Sequence, residues 1–189
     1  MTDVVILGGP NGAGKTTAAQ TILPYEIEVD EFINADEIAR ALAPEDSNHA
    51  ALAAGRIMLE RMEELHSRGL SFAFETTCAG RTHLRFLNRC KADGRRIVLL
   101  FLWLPSVEAA LDRVARRVAQ GGHAIPPEVV ARRYTAGILN MREMYLPLAD
   151  IAAIYDNSDE GRILIAEKIA EAPMIVHNAD RWTQIESIA

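Results

Sequence analysis

The sequence predicts a three-layer α/β domain with a mainly parallel five-stranded sheet. Segments with a helical spacing of apolar residues separate short apolar runs, and this alternation is typical of parallel sheets. The 189 residues fit one domain, which we take to be residues 1–189. Each predicted strand is an apolar run that ends at a polar residue or a glycine, and the five runs are residues 4–8, 28–34, 71–75, 97–104 and 151–156.

The predicted helices have clear start and stop signals. Residues 51–65 repeat apolar or small side chains every three or four positions and end before Gly69. Ser106 is placed to cap a helix that ends at Gly121 and Gly122, and Pro126 and Pro127 open the next one. These two helices form a hairpin-like excursion over about residues 106–146, and the second carries its apolar stripe at Val130, Tyr134, Ile138, Met141 and Tyr145. We also expect an edge strand at 174–177 and a closing helix at 179–188.

Composition excludes several classes of protein. Apolar residues make up 49% and charged residues 24% of the chain, which is ordinary for a folded soluble protein. The net charge of −6 gives no support for a nucleic-acid partner, although Arg81, Arg85 and Arg89 could gather locally.

Cysteine usage and hydropathy indicate the compartment. Cys78 and Cys90 have neither metal-ligand spacing nor the density of a disulfide scaffold, so we predict reduced thiols and a cytoplasmic location. No apolar run approaches the roughly 20 residues of a membrane helix. Residues 3–7 lack the features of a signal peptide, and we expect them to belong to the fold.

A glycine-rich motif follows the first predicted strand and opens a helix. It fits the pattern G-x-x-x-x-G-K-[ST], which is the Walker A loop that surrounds nucleotide phosphates with backbone N–H groups. Lys15 would place its charge on the outer phosphates, and the Thr16 hydroxyl would join the Mg²⁺ shell. The predicted nucleotide-binding residues of this loop are Gly9, Pro10, Asn11, Gly12, Ala13, Gly14, Lys15, Thr16 and Thr17.

Two acids follow predicted strands at the carboxyl edge of the sheet, where ligands bind in such folds. Asp36 is the candidate base that takes the proton of an acceptor hydroxyl, and the alternative is a cap for the following helix. Glu75 would hold a magnesium-bound water or contact the substrate, and the alternative is a carboxylate bonded to neighbouring backbone amides. Thr76, Thr77 and Arg81 are further candidates for substrate contacts.

Arginines are concentrated in the excursion. Arg113 and Arg117 share one helix face, and Arg132 and Arg133 lie near the start of the next helix. Mobile arginines stabilise the charge of a transferring phosphoryl group, so we interpret the excursion as a helical arginine lid that closes at a glycine hinge. Arg117 and Arg133 are the predicted catalytic pair, and solvated arginines are the alternative. His123 is interpreted as a packing or turn residue.

The motifs together resemble those of the zeta-toxin family, and they occur in the order of that family. The resemblance spans roughly residues 3–160. After the fifth strand, residues 156–158 also resemble the short members of the family. The resemblance is carried by residues 9–16, 32–36, 75–77, 121–123, 132–134 and 156–158.

This resemblance implies a P-loop kinase of the zeta-toxin and chloramphenicol phosphotransferase kind. Such an enzyme uses ATP and Mg²⁺ to phosphorylate a hydroxyl of a small molecule, which for the toxins is often a UDP-activated amino sugar. It implies that Asp36 is the catalytic base and that Glu75 lies on the substrate side. By the same resemblance, Lys15 would bind the outer phosphates and the lid arginines would meet the transferring group. We also predict that Arg113, Arg132 and Asn157 contact the nucleotide. An antitoxin partner is not inferable from the chain.

Two other functions remain open from the sequence. A regulatory ATPase or switch would transfer phosphate to water and act through a protein partner, but no apolar run ends in a clear Walker B aspartate, and Asp156 and Glu75 are imperfect substitutes. A nucleotide or RNA-end kinase would use the same loop and would need a basic groove.

Overall fold

The computed structural model describes residues 2–21, 27–43, 47–122, 124–158 and 161–188. A seven-stranded sheet in the order β2-β3-β1-β4-β5-β6-β7 runs through these residues. The first five strands of that order are parallel, and β6 and β7 pair antiparallel. The strands are β1 (Asp3–Gly8), β2 (Glu31–Ile33), β3 (Phe72–Thr76), β4 (Arg96–Trp103), β5 (Ile151–Asp156), β6 (Ile163–Ile169) and β7 (Ile175–Val176).

The five predicted strands are confirmed to within a few residues, but the predicted number of strands is wrong. The edge strand expected at 174–177 is present as β7, and β6 was not predicted. Burial in β6 is confined to two consecutive residues at its middle, Ile165 and Ala166, and the strand has no alternating pattern. It also lies outside the strand-helix repeat, so neither signal marks it in the sequence.

The helices fill the connections between the parallel strands. Ser106 caps α5 by accepting a hydrogen bond from the Ala109 amide, and Pro127 is the first residue of α6, as the sequence predicts. The helices are α1 (Lys15–Thr21), α2 (Ala35–Leu42), α3 (Ser47–Ser67), α4 (Thr82–Ala92), α5 (Val107–Ala119), α6 (Pro127–Asn140), α7 (Leu146–Leu148) and α8 (Ala179–Ser187). A π-helical turn, Met141–Tyr145, joins α6 to α7.

The central strands are covered on both faces, as the three-layer prediction requires. Every residue of β1 is buried, and seven of the eight residues of β4 are buried. The predicted stripe of α6 is also in the core, where Val130, Tyr134 and Ile138 are almost fully buried. The second helix of the excursion is therefore packed onto the body of the domain.

Asp156 ends β5 and ties the last helix to the sheet. One of its carboxylate oxygens accepts the Ser158 amide, and the other accepts Nε of Arg181 on α8. Asp156 is only 3% exposed, so these contacts supply the partners that a buried carboxylate requires. Its position is structural, which removes it as a substitute for a Walker B acid.

Within the described ranges, none of the helices combines the length and the apolar character needed to cross a bilayer.

Candidate functional site

The Walker A loop connects β1 to α1 and has the conformation that its glycines allow. Gly9 has φ +144°, and a methyl group at this position would lie 2.3 Å from the Leu102 carbonyl oxygen. Only glycine fits so close to the neighbouring strand. Asn157, after β5, donates from Nδ2 to the Ala13 carbonyl oxygen at 2.7 Å. The loop therefore packs closely against β4 and is hydrogen-bonded to the segment that follows β5.

Lys15 is the first residue of α1, and its ammonium group is buried. Its Nζ donates to the Pro10 carbonyl oxygen at 3.0 Å and lies 3.6 Å from Oε1 of Glu75. These contacts curl the lysine side chain back over the loop. They compensate a charge that would otherwise be costly to bury, at the place where phosphates bind in a Walker A loop.

Glu75 joins the loop to the second strand. Its Oε2 accepts from Oγ1 of Thr16 at 2.9 Å and from Nδ2 of Asn34 at 3.0 Å. Its partners are therefore side chains, and not the backbone amides of the alternative interpretation. A hydroxyl and a carboxylate that meet beside a phosphate loop are the oxygen ligands that Mg²⁺ prefers. The residues present thus fit a magnesium ion.

Asn34, and not Asp36, caps α2. Oδ1 of Asn34 accepts a hydrogen bond from the Asp36 amide at 2.8 Å. The capping alternative for Asp36 is therefore wrong, because the residue two positions earlier has that role. Asp36 lies in the first turn of α2 with an exposed side chain. Its carboxylate is available to a molecule in the adjoining cleft.

One cleft joins these residues. It has a volume of about 550 Å³ and extends from the Walker A loop across the carboxyl ends of β2 and β3. The residues that line it are Asn11, Lys15, Asn34, Ala35, Asp36, Gly55, Met58, Glu75, Thr76, Thr77, Ala79, Gly80, Thr82, His83, Arg132, Arg133 and Ala136.

The four arginines of the excursion separate into two pairs. Arg132 and Arg133 line the cleft from α6. Arg113 and Arg117 do not line it. The guanidinium group of Arg113 donates to the Ser158 carbonyl oxygen, and it lies 3.5 Å from the Gly12 carbonyl oxygen.

Several other candidates lie outside the cleft lining. Of the predicted Walker A residues, Asn11 and Lys15 line the cleft, and the others do not: Gly9, Pro10, Gly12, Ala13, Gly14, Thr16 and Thr17. Thr17 is exposed on α1, and Arg81 is exposed at the start of α4. Asn157 contacts the loop through Ala13 and not through the cleft. His123 lies outside the described residues.

His83 is a cleft residue that the sequence reasoning missed. Its ring packs against Phe74 with centroids 5.1 Å apart, and its buried Nδ1 has no hydrogen-bond partner among the described residues. Burial lowers the pKa of His83 below its ordinary value, which favours a neutral ring. Asn34 and Thr82 were missed as well. No spacing marks these residues. Thr82 and His83 reach the cleft through the way α4 meets β3, and Asn34 reaches it from the junction of β2 and α2.

Comparison with known proteins gives a consistent assignment of the fold. Residues 4–137 match the family described as AAA domain. A relative, an uncharacterized protein of Haemophilus influenzae, is 29% identical over 126 residues, which is 67% of this chain and 88% of the relative.

Solved structures share the architecture at low identity. The AvrRxo1-ORF1:ORF2 complex with ATP superposes with a TM-score of 0.74 at 18% identity, over 98% of this chain and 63% of that chain. This chain therefore spans less than two thirds of that structure. The PezAT toxin–antitoxin system of Streptococcus pneumoniae has a TM-score of 0.63 at 16% identity, over 86% and 69%. Shikimate kinase of Acinetobacter baumannii, in complex with shikimate, has a TM-score of 0.51 at 20% identity, over 85% and 86%. The fold is that of P-loop kinases.

Proposed function

We propose that this chain, which belongs to the AAA domain family, is an ATP-dependent kinase that phosphorylates a hydroxyl group of a small molecule. The observation that carries the proposal is the single cleft that has Lys15 at one end and the exposed carboxylate of Asp36 in its wall. A phosphate-binding lysine and an available base beside the same cavity are what phosphoryl transfer to a hydroxyl requires.

Lys15 and the Walker A loop are proposed to hold the outer phosphates of ATP. Lys15 now lies beside Glu75 at the Walker A loop. When ATP binds, its ammonium group would exchange this contact for one with a phosphate oxygen. Thr16 and Glu75 are proposed to hold Mg²⁺, which would neutralise phosphate charge when bound. Asn34 keeps the Glu75 carboxylate in place through its side-chain amide.

Asp36 is proposed to be the catalytic base. The acceptor oxygen forms a bond to the γ-phosphorus, the bond from that phosphorus to the bridging oxygen of ADP breaks, and the hydroxyl proton goes to Asp36. Asn34 supports this role because it caps α2 and leaves the Asp36 carboxylate available.

Arg133 and Arg132, which line the cleft from α6, are proposed to contact the phosphates. Arg117 remains a proposed catalytic residue, although in this structure it lies outside the cleft lining. Arg113 is proposed to contact the nucleotide indirectly, because it braces the Gly12 and Ser158 backbone beside the loop.

The acceptor is proposed to be a neutral polar molecule with several hydroxyl or amide groups. Thr76, Thr77, Thr82 and the neutral ring of His83 offer hydrogen bonds in the part of the cleft beyond the loop. A UDP-activated amino sugar is the first candidate, in line with the zeta-toxin resemblance and with the structural similarity to the PezAT system.

The test is ATP consumption by the purified protein with Mg²⁺ across UDP-sugars, nucleosides, aminoglycosides and amphenicols, with mass spectrometry of the products. We expect acceptor-dependent release of ADP and a product heavier by one phosphate. Lys15→Ala should lower the rate by about a hundredfold or more, since it removes a charged phosphate contact. Asp36→Asn should lower it about as much while nucleotide affinity stays largely intact.

The chain contains a matched control for Asp36. Asn178 caps α8 and Asp180 follows in its first turn with an exposed side chain, as Asn34 and Asp36 do in α2. Asp180→Asn should leave transfer unchanged. Full activity of Asp36→Asn would remove the proposed mechanism. ATP hydrolysis without any acceptor dependence would favour the switch function over the kinase.

A further inference from the structure

The loop between β3 and α4, residues 77–81, forms one wall of the cleft beyond the phosphates. We call it the acceptor-side loop. Cys78 in this loop has φ +58°, a left-handed conformation that is unfavourable for a residue with a Cβ atom. Its thiol is fully buried, and burial raises the pKa of that thiol to about 12. A strained and buried residue in a cleft wall requires neighbouring structure that holds it.

Two residues, one on α6 and one on the π-helical turn, donate hydrogen bonds to three consecutive carbonyl groups of this loop. Nδ2 of Asn140 donates to the carbonyl oxygens of Cys78 and Ala79 at 2.9 and 3.0 Å. The hydroxyl of Tyr145 donates to the Gly80 carbonyl oxygen at 2.9 Å. All of these contacts join side chains to backbone atoms, so they fix the path of the loop and not one side chain of it.

Gly137 lets α6 approach the loop this closely. A methyl group on Gly137 would lie 2.3 Å from the Thr77 carbonyl oxygen, closer than real Cβ atoms approach any atom. Gly137 and Asn140 are three residues apart and share one face of α6. On this face of α6, Gly137 leaves room for the Thr77 carbonyl group. Asn140 then donates hydrogen bonds to the next two carbonyl groups of the loop.

The π-helical turn puts Tyr145 on the same side. Five positions along an α-helix would place Tyr145 about 140° away from Asn140. The Leu146 amide instead bonds to the Met141 carbonyl oxygen, five residues earlier, and the wider turn brings residues five apart close to one face. The irregular turn thus has a geometric consequence, which is the third contact with the loop.

We propose that Gly137, Asn140 and Tyr145 are positioning residues that fix the acceptor-side loop to α6. The same helix carries Arg132 and Arg133 into the cleft, so the clamp sets the distance between these arginines and the loop. The acceptor then meets a preassembled wall, and its binding depends on the clamp while nucleotide binding does not. This inference rests on the proposed kinase function for its catalytic consequence only.

The experiment compares Tyr145→Phe and Gly137→Ala with the unchanged protein. Amide hydrogen exchange of residues 77–81 is measured on the nucleotide-free protein, and ATP affinity and the acceptor KM are measured separately. We expect faster exchange in the loop, an acceptor KM raised by about tenfold and unchanged ATP affinity. Tyr145→Phe removes only a hydroxyl, so it keeps the packing of the ring.

Tyr134→Phe is the matched control on the same helix. The Tyr134 hydroxyl donates to the Leu104 carbonyl oxygen at 2.8 Å, away from the acceptor-side loop. This variant loses a buried hydrogen bond but should leave both loop exchange and acceptor KM unchanged. If Tyr134→Phe alters them as Tyr145→Phe does, the effect is general destabilisation, and the clamp is refuted.

The remaining outcomes separate this inference from the proposed function. Unchanged exchange of residues 77–81 in both variants overturns the clamp, even in an active kinase. If ATP affinity falls as much as acceptor affinity, the proposal that only acceptor binding depends on the clamp is overturned. If the unchanged protein transfers phosphate to no acceptor, the proposed function fails, and the exchange measurement still decides whether the clamp holds the loop.

Discussion

Replacing Glu75 by glutamine keeps the shape of the side chain and removes its negative charge. This carboxylate accepts hydrogen bonds from Thr16 and Asn34 and lies 3.6 Å from the Lys15 ammonium. The Lys15 and Glu75 side chains are only 5% and 13% exposed, so solvent screens the pair weakly. The variant leaves the buried ammonium with the Pro10 carbonyl oxygen as its remaining contact on this side.

The expected loss follows from these contacts. Hydrogen bonds to a charged group contribute about 1.5–3 kcal/mol, and the glutamine amide retains part of that, so we expect about 2 kcal/mol in the free energy of unfolding. For a chain of this length the melting temperature should fall by about 4–8 °C. ATP without metal should then stabilise the variant more than the unchanged protein, because a negative charge next to the phosphates is gone. Added Mg²⁺ should contribute less, since one of its oxygen ligands is lost.

Thermal unfolding followed by circular dichroism measures all three effects, with EDTA, with ATP and EDTA, and with ATP and Mg²⁺. Glu143→Gln is the control, because Glu143 is exposed on the π-helical turn. An unchanged melting temperature without nucleotide would refute the role of Glu75 as the counter-charge of Lys15. An unchanged Mg²⁺ increment would refute its place in the metal site.

Two further predictions concern Gly9 in the Walker A loop and the buried thiol of Cys78. Gly9→Ala should lower the free energy of unfolding in urea by more than about 2 kcal/mol and weaken ATP binding, because the added methyl group would clash with Leu102. Gly69 also has a positive φ but has open space around it, so Gly69→Ala should cost only about 1–2 kcal/mol. Equal losses in the two variants would contradict the clash. Burial raises the pKa of the Cys78 thiol from 9.0 to about 12, so its contribution to stability is complete below pH 9 and is lost as pH rises toward 12, by up to about 1.4 kcal/mol per pH unit. Cys78→Ala should therefore lose less stability than the unchanged protein between pH 8 and pH 10, a difference that parallel pH profiles would disprove.

Local signals predicted the parts of the site that lie within one segment. The Walker A pattern, the Ser106 cap and Pro127 at the start of α6 each depend on residues close in sequence, and the structure confirms the caps. Asp36 and Glu75 were placed at strand ends for the same reason, since the apolar runs before them end there. Their roles in catalysis and metal binding stay predictions.

Long-range contacts explain what the sequence could not predict. The sequence places Asn34 in a motif but does not predict that it caps α2. Its side-chain amide also bonds to Glu75, 41 positions away in the chain, and no local pattern predicts such a contact. The sequence predicts Arg117 and Arg133 as the catalytic pair, but the packing of α5 and α6 places Arg133 in the cleft lining with Arg132 and leaves Arg117 outside it. The π-helical turn has no local signature, and the contact that Tyr145 makes from it joins residues 65 positions apart.

The brace around Asp156 bears on how much order the protein must acquire when a nucleotide arrives. Asn157 already bonds the Ala13 carbonyl oxygen, and Arg113 already joins the Ser158 backbone to α5. Asp156 holds that turn from below and is itself held by Arg181 on α8. The phosphate loop is therefore braced by contacts within the protein itself, and we expect association with a nucleotide to carry a small entropic penalty from this region. On this reasoning the last helix, far from the loop in sequence, would affect nucleotide affinity only through the rigidity of the loop.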